Sequence, residues 1–265
     1  MKFKKPKKNF SQNFLIDNNI ANKIVSFLNL SENDVVYEIG TGRGVLTEII
    51  ASVGCKIFTF ELDIDLIDKL ENKFRKYDNI ELVNTDFLKV NPFDFYAGQF
   101  KLIGNIPYDI TSPLIDWIIE HRNSIISAVI TSQKELADRI SSGPGSKNWA
   151  PISILSQCYF DIENKMTIPP EAFYPPPKIK SATMVFSPHN RYDISNPKFF
   201  NDIVHAAFKQ RRKLLVNNLG ELGYLNKEDI LRLIDEIGLE SNIRAEQVSI
   251  DDFIRLCTAI GKFKS

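Results

Sequence analysis

The chain has 265 residues, a formal net charge of zero, 43% apolar and 25% charged residues, as is ordinary for a globular protein of one large or two unequal domains. No run approaches the ~20 apolar residues of a membrane span, and nothing resembles the apolar segment of a signal peptide, so we predict a cytoplasmic protein. Three scattered cysteines and three isolated histidines argue against disulfides and against a bound metal.

The first ten residues form a basic arm that contains five lysines and no acidic residue. Such an arm is either a solubility tail or an element that contacts phosphates, and both alternatives stay open. Segment 10–15 then mixes two exposed-looking phenylalanines with polar side chains. Asp17 or Asn18 is suited to cap the helix that follows, because the next apolar residues share one helical face.

The start of a nucleotide-binding unit follows. Val35–Ile39 reads as a buried strand that ends in the glycine loop 40–44, and a helical pattern comes next. Glycines such as Gly40 and Gly42 let the backbone pass close beneath a ligand, which then faces the N-terminus of the helix. A second strand, 56–60, ends in Glu61, 21 residues after Gly40, where a carboxylate can accept both hydroxyls of a ribose.

The spacing of the glycines distinguishes two classes of cofactor. A dinucleotide site has the pattern Gly-x-Gly-x-x-Gly, whereas here the third glycine, Gly44, comes one residue earlier. The resulting pattern, which begins at Glu38, is typical of enzymes that bind S-adenosylmethionine and have no pyrophosphate to hold. The third strand, 80–83, leads to Asp86, which either lies at the adenine of the cofactor or caps a turn.

The stretch 105–108, Asn-Ile-Pro-Tyr, follows a fourth strand at 101–104, and Pro107 forces the chain to leave the sheet there. The fourth strand lies across the topological switch point from the first, so its end faces the cofactor. An amide, a bare carbonyl and an aromatic ring suit a planar base that carries an amino group. The alternative is a plain turn in which Tyr108 packs locally.

The alternation of helix and strand continues to residue 187. We predict a helix at 111–120, a strand at 125–130, a helix at 133–140 and a last strand at 180–187. Residues 141–147 read as a flexible loop. The proline-rich segment 169–177 reads as a stiff loop that displays Phe173 and Tyr174, and near a base-stacking site we expect it to supply the stacking face opposite Tyr108.

The composition changes after residue 188, and only helices are predicted from there on. They lie at 198–209, 211–220, 226–237 and 249–261; Asn196-Pro197 starts the first of them, and Asn226 with Asp229 and Ser249 with Asp252 resemble capping boxes. A basic run within them is either a solvated face or an RNA-binding surface made of Lys209, Arg211, Arg212 and Lys213. We therefore divide the chain into the arm 1–10, a domain at 11–188 and a helical domain at 189–265.

Several short motifs occur in a fixed order along nearly the whole chain. They are Ser-Gln-Asn-Phe-Leu at 11–15, Glu-Ile-Gly-Thr-Gly-Arg-Gly at 38–44, Glu-Leu-Asp at 61–63, Gly-Asn-Ile-Pro-Tyr at 104–108, Gln-Lys-Glu at 133–135, Gly-Pro-Gly-Ser-Lys at 143–147, Ala-Phe-Tyr-Pro-Pro-Pro-Lys at 172–178, Phe-Lys-Gln-Arg-Arg-Lys at 208–213 and Arg-Ala-Glu-Gln-Val-Ser at 244–249. Each motif is modest, but in this order they resemble the rRNA adenine N6,N6-dimethyltransferase family, and most of all its KsgA (RsmA) branch.

The resemblance implies a Rossmann-like α/β domain with a seven-stranded sheet and a small all-helical C-terminal domain that binds RNA. It implies dimethylation, with S-adenosylmethionine, of N6 of two adjacent adenosines in a hairpin loop near the 3′ end of small-subunit (16S) rRNA. The implied partner is the immature small ribosomal subunit, and we predict a monomer that does not bind membranes. The residues that the resemblance places at the cofactor are Asn13, Leu15, Gly40, Glu61, Asp86 and Asn105.

Two positions depart from the KsgA pattern. Ser11 stands where many such enzymes have Gly, and Ile106 stands where they have Leu. Both variants resemble the sibling Erm family, which methylates a large-subunit (23S) rRNA adenine and gives macrolide resistance, so that function is the alternative. A nicotinamide-dependent oxidoreductase and a non-catalytic assembly factor are disfavoured by the glycine spacing and by the intact stretch 105–108.

Catalysis is predicted to rest on positioning, because the lone pair of adenine N6 is delocalised into the ring. Asn105 Oδ1 and the carbonyl of Ile106 or Pro107 can accept the two N6 hydrogens. Tyr108 and Phe173 are predicted to stack on the two faces of the base. No strong base is required, since methylated N6 carries positive charge and loses its proton readily.

Overall fold

The structure is a computed structural model that describes residues 12–223 and 225–262, so the predicted arm, Phe10 and Ser11 lie outside the described residues. Packing divides the chain into two units. The first extends to Ala137 and resumes at Phe160–His189, and the second contains Asp138–Tyr159 and the chain from Asn190 onward. Segment 138–159, which the sequence analysis assigned to the domain at 11–188, therefore packs in the second unit.

The secondary structure contains strands and helices up to residue 188 and is helical thereafter, and strand and helix alternate only as far as residue 140. In chain order the elements are β1 (Phe14–Leu15), α1 (Asn18–Ser26), β2 (Val35–Ile39), α2 (Val45–Ala51), β3 (Lys56–Glu61), α3 (Ile64–Phe74), β4 (Ile80–Asn84), β5 (Phe100–Asn105), α4 (Thr111–Glu120), β6 (Ile125–Gln133), α5 (Lys134–Ile140), α6 (Pro151–Gln157), β7 (Phe160–Ile168), β8 (Phe173–Tyr174), β9 (Ser181–Pro188), α7 (Pro197–Ala207), α8 (Leu215–Gly220), α9 (Lys227–Glu236) and α10 (Ile250–Lys262).

The first unit is built on a seven-stranded sheet in the order β4-β3-β2-β5-β6-β9-β7. The five strands from β4 to β6 are parallel, and β9 runs antiparallel to both β6 and β7. β2 pairs with β3 on one side and with β5 on the other, so the chain order reverses at β2. The predicted Rossmann-like fold and seven-stranded sheet are confirmed, and β5 lies across the switch point as expected.

The local sequence explains the central elements. All five side chains of β2 are buried, as expected for a parallel strand covered on both faces. α1 begins after Asp17, whose Oδ1 accepts hydrogen bonds from the backbone N–H groups of Asn19 and Ile20 at 2.9 and 3.0 Å. Of the two predicted candidates, Asp17 and Asn18, the cap is therefore Asp17.

A two-stranded ribbon, β1 with β8, was not predicted. Phe14 lies opposite Tyr174 and Leu15 opposite Phe173, in antiparallel register. Phe14 is 8% exposed and Phe173 is 3% exposed, whereas Tyr174 is 46% exposed. The predictions that Phe14 is exposed and that the proline-rich loop displays Phe173 are therefore wrong. Strands this short carry no periodic signal, and β7 was missed as well because its exposed edge position weakens the apolar pattern.

The second unit is a helical assembly around one apolar core, which confirms the predicted helical C-terminal region. Trp149 and Cys158 are buried in the same core as Phe200 and Phe253, and this shared core is why segment 138–159 packs here. Trp149 Nε1 donates a hydrogen bond to the carbonyl of Val248 at 2.9 Å. The predicted caps at Asn226 and Ser249 are also present, because each accepts a hydrogen bond from the backbone N–H three residues later. Asn196 caps α7 in the same way.

The basic run is not helical, contrary to prediction. α7 ends at Ala207 and α8 begins at Leu215, so residues 208–214 form a connection. The buried side chain of Asn218 explains the break, because its Nδ2 donates to the carbonyls of Ala207 and Gln210 at 2.6 and 3.1 Å. These bonds satisfy carbonyl groups that a continuing helix would have used.

Candidate active site

A cavity of about 390 Å³ lies in the first unit, where β2, β3 and β5 end. Its volume falls within the range of about 300–1,000 Å³ that is usual for small-molecule sites. Every residue that the sequence predicted for the cofactor or for catalysis contributes to its lining, namely Asn13, Leu15, Gly40, Gly42, Glu61, Asp86, Asn105, Pro107, Tyr108 and Phe173. The topology therefore brings all of these side chains and loops to one place.

The glycine loop runs under the cavity in a conformation that favours glycine. Gly40, Gly42 and Gly44 have φ values of +73°, +57° and +74°. At Gly44 a side chain would also meet α3, because an added Cβ would lie 2.5 Å from the ring of Phe74. The early third glycine is thus required by packing against α3 as well as by its backbone angle.

Glu61 joins the end of β3 to the glycine loop. Its Oε2 accepts the N–H of Gly42 and its Oε1 accepts the N–H of Asp63, both at 2.8 Å. Burial raises the pKa of this carboxyl, and the two hydrogen bonds oppose that rise. A carboxylate offers about four acceptor positions, so Glu61 keeps capacity to accept a hydrogen bond from a ligand besides those from its backbone donors.

A second buried carboxyl, Glu38, lies beneath the loop. Thr47 and Thr59 each donate a hydroxyl hydrogen bond to its Oε2 at 2.6 Å. Thr59 Oγ1 also lies 2.6 Å from Thr41 Oγ1, so a chain of hydroxyl groups connects Glu38 to the loop. Burial raises the pKa of Glu38 to about 7, despite the hydrogen bonds from the two threonines. Glu38 belongs to the sequence motif, but no role was predicted for it.

Asn105 ends β5 with its amide held in one orientation. Its Nδ2 donates to the main-chain carbonyl of Asn13 at 3.1 Å. The opposite orientation would place the amide oxygen against another carbonyl oxygen, which is electrostatically unfavourable. Nδ2 is therefore engaged, and Oδ1 is the atom left to accept a hydrogen bond from a ligand.

The rest of the stretch 105–108 is held by its surroundings. The N–H of Ile106 donates to the carbonyl of Thr131 at 2.9 Å. The carbonyl of Pro107 accepts the N–H of Ile110 at 3.2 Å and the hydroxyl of Thr111 at 3.4 Å. Two donors use both lone pairs of that carbonyl, so the Ile106 carbonyl is the better candidate acceptor for a ligand.

The aromatic and acidic rims of the cavity are anchored too. The hydroxyl of Tyr108 lies 3.0 Å from Ser181 Oγ on β9, which fixes the edge of the ring. Asp86 Oδ1 accepts the N–H of Leu88 at 3.1 Å while the residue also lines the cavity. Both alternatives that the sequence left open for Asp86, a turn cap and a place in the site, are thus compatible with its position.

Several lining residues were not identified from the sequence. They include Gln12, Phe14, Arg43, Leu62, Thr85 and Phe87. Gln12 Nε2 donates to Asp63 Oδ2 at 2.9 Å and thereby holds the segment before β1 at the rim. The only available signal was that Gln12 and Phe14 flank Asn13, and the sequence did not show which of them face the cavity.

The predicted RNA-binding residues lie on the surface of the second unit, in the connection between α7 and α8. Lys209 and Lys213 both pair with Glu221, at 2.9 and 3.2 Å. Arg211 pairs with Glu246 at 3.2 Å and donates to the carbonyl of Lys147. All four predicted residues, Lys209, Arg211, Arg212 and Lys213, are exposed.

The loop 141–147 is tied to the same surface. The N–H of Gly145 donates to the carbonyl of Glu246 at 2.7 Å, and Arg211 bonds both Glu246 and Lys147. The loop, which its glycine and proline content predicted to be flexible, is thus bonded at two positions to neighbouring residues of the second unit. The loop and the basic run form one continuous surface of the second unit.

Other chemistries lack support in the described residues. Within 12–223 and 225–262, no cluster of three or more His, Cys, Asp or Glu side chains is arranged to hold a metal ion. No helix in these ranges is both long and apolar enough to cross a membrane. Burial raises the pKa of Cys158 to about 12 and that of Cys257 to about 11, so both thiols are protonated at neutral pH.

Known proteins resemble the chain over nearly its full length. The sequence model of the family described as ribosomal RNA adenine dimethylase matches residues 3–262. The chain is 40% identical to the ribosomal RNA small subunit methyltransferase A of Francisella tularensis subsp. novicida (strain U112), over 95% of this chain and 96% of that protein. It is 35% identical to the protein of the same name from Bacillus cytotoxicus, over 96% of this chain and 91% of that protein.

Two solved structures share the fold. A dimethyladenosine transferase from Plasmodium falciparum superposes with a TM-score of 0.84 at 24% identity, over 94% of this chain and 98% of that one. The 23S rRNA methyltransferase ErmE superposes with a TM-score of 0.75 at 25% identity, over 94% of this chain and all of that one. From the family match and the sequence relatives together, we conclude that the chain belongs to the ribosomal RNA adenine dimethylase family.

Proposed function

We propose that this protein uses S-adenosylmethionine to dimethylate N6 of two adjacent adenosines in a hairpin loop near the 3′ end of small-subunit rRNA. It acts as a monomer, in the cytoplasm, on the immature small subunit. The observation that carries the proposal is the convergence of the stretch 105–108, the glycine loop and Glu61 on one cavity. The relatives named as small-subunit rRNA methyltransferases support the choice of RNA.

The residues of the cavity fit S-adenosylmethionine. The glycine loop has left-handed backbone angles that leave room for a ligand, and Glu61 keeps acceptor capacity for the hydroxyls of a ribose. Asp86 lies at the rim, as a partner for an adenine would. When bound, this cofactor supplies an electrophilic methyl group.

Asn105 and Ile106 position the acceptor nitrogen. Asn105 Oδ1 accepts one N6–H of the target base, because Nδ2 is engaged by Asn13. The carbonyl of Ile106 accepts the other, because that of Pro107 already has two donors. Two acceptors draw N6 toward tetrahedral geometry and orient its lone pair, so that positioning lowers the barrier.

The aromatic residues hold the base itself. Tyr108, whose hydroxyl is fixed by Ser181, stacks on one face of the extruded adenine. Phe173 also lines the cavity and is proposed to contact the opposite face, and its low exposure makes it a fixed wall rather than a mobile cover. A second methylation has only one N6–H left to hold, so the pocket must admit a rotated monomethyl base.

Residues outside the cavity select the RNA. Ile106, one of the two positions that resemble Erm enzymes, is 2% exposed, and an added Cβ at Gly104 would lie 2.4 Å from its Cδ1. Its side chain is thus a packing group that does not distinguish the two RNA substrates, whereas its carbonyl is the proposed acceptor for N6–H. The surface formed by the loop 141–147 and the basic run is the candidate for contacts to phosphates, which fix position without reading sequence.

Neutralising the basic run should weaken binding to unmethylated small subunits and flatten its dependence on salt. We expect the slope of log K against log salt to fall by about one unit for each phosphate contact that is lost. The affinity for S-adenosylhomocysteine should not change, because the cavity is formed by the first unit alone. In this variant glutamine replaces each residue of the basic run, namely Lys209, Arg211, Arg212 and Lys213.

A matched control removes the same number of charges elsewhere on the second unit. It replaces with glutamine the residues Lys198, Lys227, Arg232 and Arg255. Binding of both variants is measured over a series of salt concentrations. An unchanged slope in the first variant, or an equal loss in both, would show that the basic run is only a solvated face.

The preferred substrate distinguishes the proposal from Erm-type methylation. We expect unmethylated small subunits to be methylated faster than naked small-subunit rRNA, and naked large-subunit rRNA to be the poorest substrate. The assay compares the three side by side and maps the modified nucleotides. If the large-subunit RNA is the best substrate, the alternative function is correct and the proposal is wrong.

A further inference from the structure

Arg43 connects the glycine loop to the ribbon formed by β1 and β8. Its guanidinium carbon lies 4.7 Å from the centroid of the Phe14 ring and 5.2 Å from that of the Tyr174 ring. Both distances are within the range of cation–π contacts. The guanidinium of Arg43, on the glycine loop, therefore contacts one ring on each strand of the ribbon.

The register of the ribbon explains why these two rings are available together. Directly opposed residues in an antiparallel pair share a face, and successive residues alternate between faces. Phe14 and Tyr174 are opposed and share the face that Arg43 contacts. Leu15 and Phe173 are opposed on the other face, where both are buried in the core of the first unit.

The backbone of Arg43 is itself firmly held. Its carbonyl accepts a hydrogen bond from Lys73 Nζ at 2.7 Å, and the same amine pairs with Glu48 at 2.8 Å. The preceding residue, Gly42, is bonded to Glu61 and lies so close to Phe14 that an added Cβ would be 3.2 Å from its ring. The guanidinium thus reaches the ribbon from a fixed base in the glycine loop.

The ribbon adjoins both halves of the proposed site. Asn13, immediately before β1, holds the amide of Asn105 through its carbonyl. Phe173, in β8, bounds the cavity beside the proposed position of the base. A shift of the ribbon would therefore release the amide of Asn105 and move the aromatic wall at the same time.

We propose that Arg43 is a positioning residue that clamps the ribbon onto the glycine loop. The conformation of the glycine loop thereby determines the geometry in which the target base is held. The proposal rests on the proposed function for its catalytic consequence. Its structural consequence, an ordered ribbon, does not depend on methyl transfer. A cation that contacts two rings holds them in place only while its own backbone is ordered, and the bonds of Lys73 and Glu61 to the glycine loop supply that order.

The structural test measures backbone amide exchange in the presence of S-adenosylhomocysteine. Arg43→Met keeps the length of the side chain and removes the cation, whereas Arg43→Lys keeps a cation. We expect the Met variant to exchange about tenfold faster at 12–16 and 172–176, the scale of one or two lost cation–π contacts, and the Lys variant to exchange as the wild type does. Peptides from α1 and β4 serve as internal controls for folding.

The kinetic test separates positioning from binding. We expect Arg43→Met to lower kcat about tenfold while the Kd for S-adenosylhomocysteine changes less than about threefold, because the bonds of Glu61 and Lys73 to the loop remain. Tyr174→Leu, at an exposed position, removes one ring without opening a core cavity and should lower kcat in the same way. In a double-mutant cycle the two effects should not multiply, since each removes the same clamp.

Three results would contradict the clamp, and a fourth would separate it from the proposed function. Unchanged exchange in Arg43→Met, a Lys variant as defective as the Met variant, or fully multiplicative effects of Arg43→Met and Tyr174→Leu would each show that no clamp exists. If wild-type protein transfers no methyl group to rRNA but the exchange pattern is as expected, the clamp stands and the proposed function fails.

Discussion

Asn105→Ala is expected to lower kcat for methyl transfer about 100-fold, the scale reported for losing one positioned hydrogen bond or displacing a reacting atom by about 1 Å. The variant removes the Oδ1 acceptor that holds one N6–H. It also removes the bond from Nδ2 to the carbonyl of Asn13, at 3.1 Å, so the segment before β1 loses one anchor. Affinity for the RNA should change less than about threefold, because phosphate contacts supply most of it.

Two further variants identify which atom of Asn105 matters. Asn105→Asp keeps an oxygen at Oδ1 but replaces the donor, so we expect activity between those of wild type and Asn105→Ala. Asn22→Ala is the matched control, because Asn22 is exposed on α1 and bonds only locally, to the carbonyl of Asn18. Single-turnover rates with saturating cofactor and RNA are the appropriate measurement. Normal turnover by Asn105→Ala would remove Asn105 from the mechanism.

Glu61→Ala is expected to weaken binding of S-adenosylmethionine by roughly 1.5–3 kcal/mol, the scale of hydrogen bonds to a charged group. The structure adds a reason to the one drawn from the sequence. Besides its capacity for a ribose, Glu61 holds the N–H groups of Gly42 and Asp63 at 2.8 Å, so its loss also loosens the glycine loop. Titration calorimetry with S-adenosylhomocysteine measures the change directly.

Controls separate the carboxylate from general effects of the substitution. Glu81→Ala, on the neighbouring strand β4, removes an exposed carboxylate that pairs with Lys56 at the surface and should leave affinity unchanged. Glu61→Gln keeps one acceptor oxygen and should bind more tightly than Glu61→Ala. Unchanged affinity in a folded Glu61→Ala variant would exclude Glu61 from the cofactor site.

The sequence alone determined the scaffold of the first unit and the edge at which its site lies. The parallel strands are largely apolar runs, and each is followed or ended by a glycine, acidic or amide residue that the sequence shows directly. Because parallel strands present their carboxyl ends at one edge, Gly40, Glu61 and Asn105 had to converge. Helix N-caps such as Asp17 could also be predicted from the sequence, because they depend on residues only two or three positions away.

Only the tertiary structure decided the features that depend on contacts between distant parts of the chain. β1 and β8 are two residues long, and the pairing of Phe14 with Tyr174 leaves no periodic trace in either segment. Segment 138–159 belongs to the second unit because Trp149 shares a core with helices that follow much later. The basic run is a connection because Asn218, in the next helix, bonds the last carbonyl of α7, that of Ala207, and the carbonyl of Gln210 in the connection.

The orientation of the Asn105 amide is a further feature that the sequence left open and the tertiary structure decided. The sequence indicated an amide at the end of a strand but not which of its two polar atoms is available to a ligand. That choice was made by the carbonyl of Asn13, 92 residues earlier in the chain, which accepts from Nδ2 and leaves Oδ1 for the cavity. Local pattern therefore determined which residues reach the site, and long-range hydrogen bonding and packing decided how their atoms are directed, because those interactions exist only after distant segments have met.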